Sequence, residues 1–169
     1  MNHKKSKLTA YCGLYCADCI RFKCRASDLS ESLLDEIKNK HFLEYAQVKK
    51  KYVKEFEQFE ILPTLLKAIS EIKCGIRCRA GGDGCGGLCP IIAYVKAKNI
   101  DGCWDCDDFE TCSKLKYLIP FHGISIKANL RLIKKHGVTD WVKFREKIYP
   151  WFQYNKHGRF FVLQSSDYH

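Results

Sequence analysis

Apolar residues recur at helical spacing along most of the chain. Leu29, Leu33 and Ile37 fall on one face of a helix predicted over residues 29–40, which Ser27 or Asp28 can cap. The next apolar set predicts a helix over residues 42–59. Pro63 and Pro90 stand where a first helical residue is expected, and the helix from Pro90 should extend to about residue 98. A further helix is predicted over residues 110–118, so the pattern favours a mainly α fold.

The C-terminal part is predicted to be a helical hairpin. Ile126, Leu130 and Ile133 form one apolar face, and Gly137 is a typical residue for the end of that helix. The second helix is predicted over residues 140–149, before a proline.

Residues 159–163 indicate a weak strand near the C-terminus. No internal repeat or low-complexity linker interrupts the 169 residues. We therefore predict a single cysteine-rich, metal-binding domain over residues 1–169, with residues 114–169 as its basic helical C-terminal extension. Its architecture should be a small helical domain with irregular, metal-stapled loops.

Composition indicates where such a protein resides. The apolar stretches are too short for a transmembrane helix, so we expect no membrane association. The first eight residues have the charge of a signal peptide but no apolar segment behind them. We therefore expect a cytoplasmic protein, in a compartment that keeps thiols reduced.

The cysteines carry the clearest chemical signal in the sequence. There are 11, an odd number that argues against a disulfide framework, and they occur in three clusters. Two pairs, Cys16–Cys19 and Cys103–Cys106, have the two-residue gap of a zinc knuckle. Five glycines within residues 80–87 allow the chain to wrap around an ion. The predicted metal ligands are Cys12, Cys16, Cys19, Cys24, Cys74, Cys78, Cys85, Cys89, Cys103, Cys106, Cys112 and His122.

Zinc is the favoured metal because it binds thiolates in closed tetrahedral sites. Eight cysteines would complete two such sites, and all 11 cysteines together with His122 would complete three. An iron–sulfur cluster is the alternative cofactor. The spacing of Cys12, Cys16 and Cys19 also matches radical S-adenosylmethionine enzymes, but the residues that follow read as helices and not as a βα barrel.

Charge is distributed unevenly along the chain. Residues 114–169 hold 11 Lys and Arg against three Asp and Glu, out of a formal net charge of +10. A basic helical face could bind nucleic acid. We favour the simpler interpretation that Lys127, Arg131, Lys134 and Lys135 form the solvated side of an amphipathic helix.

Two segments resemble the signatures of a known family. They are residues 11–19, YCGLYCADC, and residues 102–115, GCWDCDDFETCSKL. The downstream Asn129-Leu130 and Gly137 followed by Trp141 are also similar to its pattern. The chain is identified as a member of the prokaryotic cysteine-rich group named domain of unknown function 3795, and the resemblance implies zinc binding without a known reaction. Tyr94 departs from it, since the family often has a cysteine at that position.

The sequence predicts a zinc-binding protein whose metal is mainly structural and which presents a surface to a protein partner. No catalytic motif such as a nucleophile elbow or P-loop is present, so no catalytic residue is predicted. A metalloenzyme with an open metal position near Cys112 and His122 is a competing hypothesis. Two more hypotheses are a nucleic-acid binder that acts through the basic hairpin, and an iron–sulfur or thiol redox protein.

Overall fold

The computed structural model describes residues 7–23, 25–85, 87–146 and 149. Within these residues the fold is mainly α, as predicted, and the only β pairings are the isolated bridges Thr9–Tyr15 and Cys85–Gly87. None of the described helices has the length and apolar character needed to span a bilayer. The helices are α1 (Ile20–Lys23), α2 (Ala26–Asn39), α3 (Phe42–Lys49), α4 (Leu62–Glu71), α5 (Pro90–Lys98), α6 (Ile119–His122) and α7 (Ser125–Asp140).

Two compact units divide the chain. The larger comprises residues 1–18 and 76–169, and the smaller comprises residues 19–75. The prediction of one domain with a basic extension stays a prediction.

The smaller unit is built on the packing of α2 against α4. Ile37 of α2 and Leu66 of α4 are buried, and the Ser27 hydroxyl donates to the Ile69 carbonyl oxygen at 2.9 Å. That bond lies in the first turn of α2, which begins at Ala26, three residues before the predicted start. Neither Ser27 nor Asp28 caps the helix, because both lie inside it.

The predicted helix over residues 42–59 is broken. Helix α3 ends at Lys49, Val53 is extended, and a 3-10 segment spans Lys54–Ile61. The break brings Phe42 and Phe59 into a stacked pair with ring centroids 5.4 Å apart. In one continuous helix these rings would lie roughly 25 Å apart, so aromatic packing replaces helical continuity.

Helix α7 is the centre of the larger unit's core. Ile126, Leu130 and Ile133 are almost fully buried, which confirms the predicted apolar face. Two long-range hydrogen bonds tie the N-terminal segment to this region. Asn129 Nδ2 donates to the Gly13 carbonyl at 3.0 Å, and Trp141 Nε1 donates to Thr9 Oγ1 at 3.0 Å.

Two predicted helical segments near the C-terminus have a different form. Residues 113–118 form a 3-10 segment followed by α6, with Pro120 in the first turn of α6. Gly137 leaves helical geometry as predicted, but α7 resumes after this kink and ends at Asp140. A 3-10 turn over Trp141–Lys143 follows, where a second helix is predicted. Arg145 bonds to Val142 O and the buried Asp18 carboxylate instead of continuing a helix. The predicted strand over residues 159–163 lies outside the described residues.

Gly13 tests this packing, because its φ is +84° and an added Cβ would lie 2.8 Å from Leu130 Cδ2. We expect Gly13→Ala to lower the free energy of unfolding by about 3 kcal/mol, from backbone strain and overpacking together. Gly81 is a matched control, with φ +99° and open space around its Cβ position. Gly81→Ala should cost only about 1 kcal/mol of strain. If urea unfolding shows that Gly13→Ala and Gly81→Ala lower the free energy of unfolding equally, the close approach of Gly13 to Leu130 is contradicted.

Candidate metal centre

Ten cysteines lie among the described residues, and all ten are free thiols. Cys19 and Cys74 belong to the smaller unit. The backbone N–H of Cys74 donates to Arg21 O at 2.9 Å. Cys24 lies outside the described residues. The remaining predicted ligands are in the larger unit, namely Cys12, Cys16, Cys78, Cys85, Cys89, Cys103, Cys106, Cys112 and His122.

Cys103, Cys106 and Cys112 line one small cavity, which we call the three-thiol cavity. Its volume is about 10 Å³, close to the space that one water molecule needs. A 3-10 turn begins at Cys103, and the N–H of Cys106 closes it on Cys103 O at 3.2 Å. Two overlapping turns then position Cys112. The N–H of Thr111 donates to Asp108 O at 3.2 Å, and the N–H of Cys112 donates to Phe109 O at 3.4 Å. The predicted knuckle Cys103–Cys106 and Cys112 therefore face a common space.

Ionisation of Cys103 is unfavourable in this cavity. Burial raises the pKa of Cys103 to about 12, and the charges of Cys112, Cys106 and Cys89 contribute to the rise. If these thiols were ionised, their charges would need a compensating cation, which a bound metal ion can supply. The chemistry of the donor set thus suits a metal that takes thiolate ligands.

Tyr94 and Lys114 also line the three-thiol cavity. The Tyr94 hydroxyl lies 3.9 Å from Cys106 Sγ, and the hydrogen bond with Cys106 is the main cause that raises the pKa of Tyr94. Lys114 Nζ stands 4.6 Å from the centre of the Tyr94 ring. A phenol and a lysine, rather than a fourth thiol, therefore complete the cavity's polar wall.

A second group of thiols surrounds Cys12. Burial raises the pKa of Cys12 well above its ordinary value, and Cys78, Cys103 and Cys85 raise it further, against a hydrogen bond with the Leu14 backbone. Cys89 Sγ lies 3.1 Å from the Tyr117 hydroxyl. The pKa of Tyr117 is raised mainly by burial and next by the hydrogen bond with Cys89. The charges of Cys89, Cys12 and Cys85 raise it further. We call Cys12, Cys78, Cys85 and Cys89 the Cys12 cluster.

Glycine allows the loop of the Cys12 cluster to close. Gly84 has φ +106°, and a Cβ there would lie 2.5 Å from Cys89 Cβ. The N–H of Cys89 donates to Asp83 O at 3.0 Å across the same loop. The positive φ and the close approach both favour glycine at position 84, whereas the predicted role of the run in wrapping around an ion stays a prediction.

Arg79 connects three cysteine-bearing segments of the larger unit. Its guanidinium lies 4.7 Å from the Tyr11 ring centre and 5.0 Å from the Trp104 ring centre. It also donates to the Asp101 carboxylate at 2.9 Å. Tyr11 precedes Cys12, Arg79 follows Cys78 and Trp104 follows Cys103, so one side chain joins all three.

Helix α7 holds the loop that carries the three-thiol cavity. Arg131 donates to both carboxylate oxygens of Glu110, at 2.6 and 2.8 Å. Lys134 Nζ lies 3.0 Å from Asp107 Oδ1. These cations of the predicted basic face thus bind acidic residues of the loop that carries Cys106 and Cys112.

Not every predicted ligand is brought into these groups. Cys16 begins a 3-10 turn in the larger unit, whereas its knuckle partner Cys19 begins the smaller unit. Burial lowers the pKa of His122 to about 4, which keeps the imidazole neutral at pH 7, but His122 does not line the three-thiol cavity. In the part of the chain that the structure describes, no three His, Cys, Asp or Glu side chains are arranged to hold a metal ion. The predicted ligand set stays a prediction.

Comparison with known proteins gives one finding. A family model described as Protein of unknown function (DUF3795) matches residues 8–117, well over half of the chain. The searches of curated proteins and of solved structures found no match.

Arg79 gives a test of the connection between the cysteine segments. Arg79→Lys keeps the charge but loses the planar group that stacks on two rings, so we expect a loss of about 1–2 kcal/mol in the free energy of unfolding. Arg131→Lys is the matched control, because that exposed pair should contribute under about 1 kcal/mol. Chemical denaturation of both variants makes the comparison, and an Arg79→Lys loss no larger than the control's would contradict the connecting role.

The raised pKa of Cys103 predicts how the stability of protein treated with a metal chelator depends on pH. The folded pKa of Cys103, about 12, lies above the ordinary value of 9.0, so folding favours the protonated thiol. This contribution is fully present below pH 9 and is lost as pH rises through 12. We expect the free energy of unfolding of chelated protein to fall more steeply above pH 9 than that of Cys103→Ala. Parallel curves would contradict the raised pKa.

Proposed function

The chain belongs to the family of unknown function that matches it, and we propose from its own cysteine chemistry that it is a zinc-binding protein whose metal is mainly structural. The observation that carries the proposal is the convergence of Cys103, Cys106 and Cys112 on one cavity of about 10 Å³. A cavity of this size, with three sulfur donors, suits a single small ion. We place the protein in the cytoplasm, where thiols stay reduced.

The chemical type of the donor atoms suits zinc, whereas the positions of the side chains would have to change for zinc to bind. Thiolates are preferred zinc ligands, and a divalent cation would offset the effects of burial and neighbouring charge that raise the pKa of Cys103. Since the described side chains hold no ready-made group of three ligands, binding would draw the thiols inward. Bound zinc would supply folding energy, because the unfolded chain has no preformed site.

Two sites follow from the two thiol groups. One ion would be held by Cys103, Cys106 and Cys112, and the Tyr94 side chain would lie beside it. The Cys12 cluster would hold another with four sulfur donors. The proposal keeps four more cysteines as candidate ligands, namely Cys16, Cys19, Cys24 and Cys74, without assigning them to a common ion. His122 is the neutral imidazole candidate for a remaining position.

The proposed partner surface lies on the smaller unit. Leu29, Leu33 and Leu65 are between 45% and 57% exposed although they have the helical spacing of core residues. Exposed apolar groups of this kind often mark a protein interface. A structural metal would keep the loops of such a binding protein folded.

Replacement of Cys106 tests the proposal directly. We expect Cys106→Ser to lose one equivalent of zinc, measured by mass spectrometry for metals on purified protein, and several kcal/mol of folding free energy. Chelation of the parent should likewise expose the loop over residues 103–112 to proteolysis, since its ligands would no longer be cross-linked.

Cys24→Ser serves as the comparison, because basic residues surround Cys24 in the sequence and make it the least specific of the predicted ligands. It should lose less metal and less stability than Cys106→Ser. A Cys106→Ser protein with full zinc content and the parent's melting temperature would overturn the assignment of Cys106 as a ligand. Stoichiometric iron instead of zinc would overturn the choice of metal.

A further inference from the structure

A cleft of about 290 Å³ lies beside the three-thiol cavity, and we call it the Cys112 cleft. Cys112 and Leu115 line both spaces. Its volume is close to the lower end of the range for small-molecule pockets, and it is much larger than one ion needs. The cleft is therefore a larger space than the three-thiol cavity, although Cys112 contributes to both.

The walls of the Cys112 cleft are mainly apolar. Leu115, Ile119, Ile124 and Ile126 contribute side chains from the 3-10 segment and from the region of α6 and α7. Leu115 and Ile126 are buried, whereas Ile124 is 66% exposed. An apolar ligand body would cover the exposed part of this wall.

The charged residues of the cleft leave a net positive field. Glu110 is its acidic residue, and both of its carboxylate oxygens accept hydrogen bonds from Arg131. Lys116 and Lys127 also line the cleft, and neither forms an ion pair with another described residue. The hydrogen bond with Arg131 is the main cause that lowers the pKa of Glu110, and the charge of Lys127 contributes. The carboxylate is therefore ionised and paired with Arg131, and Lys116 and Lys127 leave the lining of the cleft net positive.

We propose that the Cys112 cleft binds a small organic anion, a carboxylate with an apolar body. The apolar wall would take the body, and Lys116 and Lys127 would hold the carboxylate. Because Cys112 lines both spaces, the bound anion would lie next to the thiols of the three-thiol cavity. The proposal uses the cleft's own residues and does not depend on zinc.

Titration with hexanoate, followed by amide chemical shifts of the full-length purified protein, tests the site. We expect shifts concentrated in residues 110–127, and affinity for hexanoate at least about tenfold higher than for hexan-1-ol, which has the same apolar chain without the charge. Equal affinities, or shifts confined to other residues, would overturn anion binding in this cleft.

Paired substitutions of the lysines identify the anion-binding groups. A double variant that carries both Lys116→Gln and Lys127→Gln should lose most of the roughly tenfold preference for hexanoate over hexan-1-ol. Lys135→Gln removes an exposed lysine of α7 that does not line the cleft, and should leave the preference unchanged. A double variant that keeps the preference would overturn the role of the two lysines. The same titration after chelation separates this proposal from zinc binding, because a failed metal analysis leaves the hexanoate result intact.

Discussion

The guanidinium of Arg79 is the contact on which the arrangement of the cysteine loops depends. Between the described residues there is no extended sheet to set the distance between loops, so side chains must do so. Arg79 lies over Tyr11 and Trp104 and pairs with Asp101. The N–H of Cys103 also donates to Tyr11 O at 2.8 Å, which fixes the same two segments through the backbone. Loops positioned this way can bring thiols together through protein contacts alone.

That arrangement has an electrostatic cost that also indicates its chemistry. Burial makes ionisation of Cys12 and Cys103 unfavourable, and neighbouring thiolates add to the effect. A cluster of buried thiols is therefore stable as neutral groups or with a cation among them. Tyr94 and Tyr117 lie beside the two groups and offer hydroxyls to the sulfurs. In the proposed zinc-bound protein these two tyrosines would lie beside the ions.

The spacing of apolar residues and prolines predicted the helices whose ends depend on residues within the segment. It failed where contacts between residues far apart in the sequence decide where a helix ends. Helix α5 begins at Pro90 and ends at Lys98 as predicted, because proline placement and apolar spacing are contained in the segment. The break after Lys49 depends on stacking of Phe42 with Phe59, which no local period reveals. For the site, spacing indicated the knuckle Cys103–Cys106. It could not show that Arg79 joins the loops, since that contact connects residues far apart in sequence.

The charge of the C-terminal region is best understood from the pairing of its individual cations. Arg131 and Lys134 are bound to Glu110 and Asp107, so part of the basic face of α7 is used to hold an acidic loop. Net charge along a segment therefore overstates the field that a phosphate backbone would meet there. Lys127 lies on the same helix, but it lines a cleft whose acidic residue is already paired with Arg131. One helix thus uses its cations in two ways, as structural partners of the cysteine loop and as a local positive field beside it.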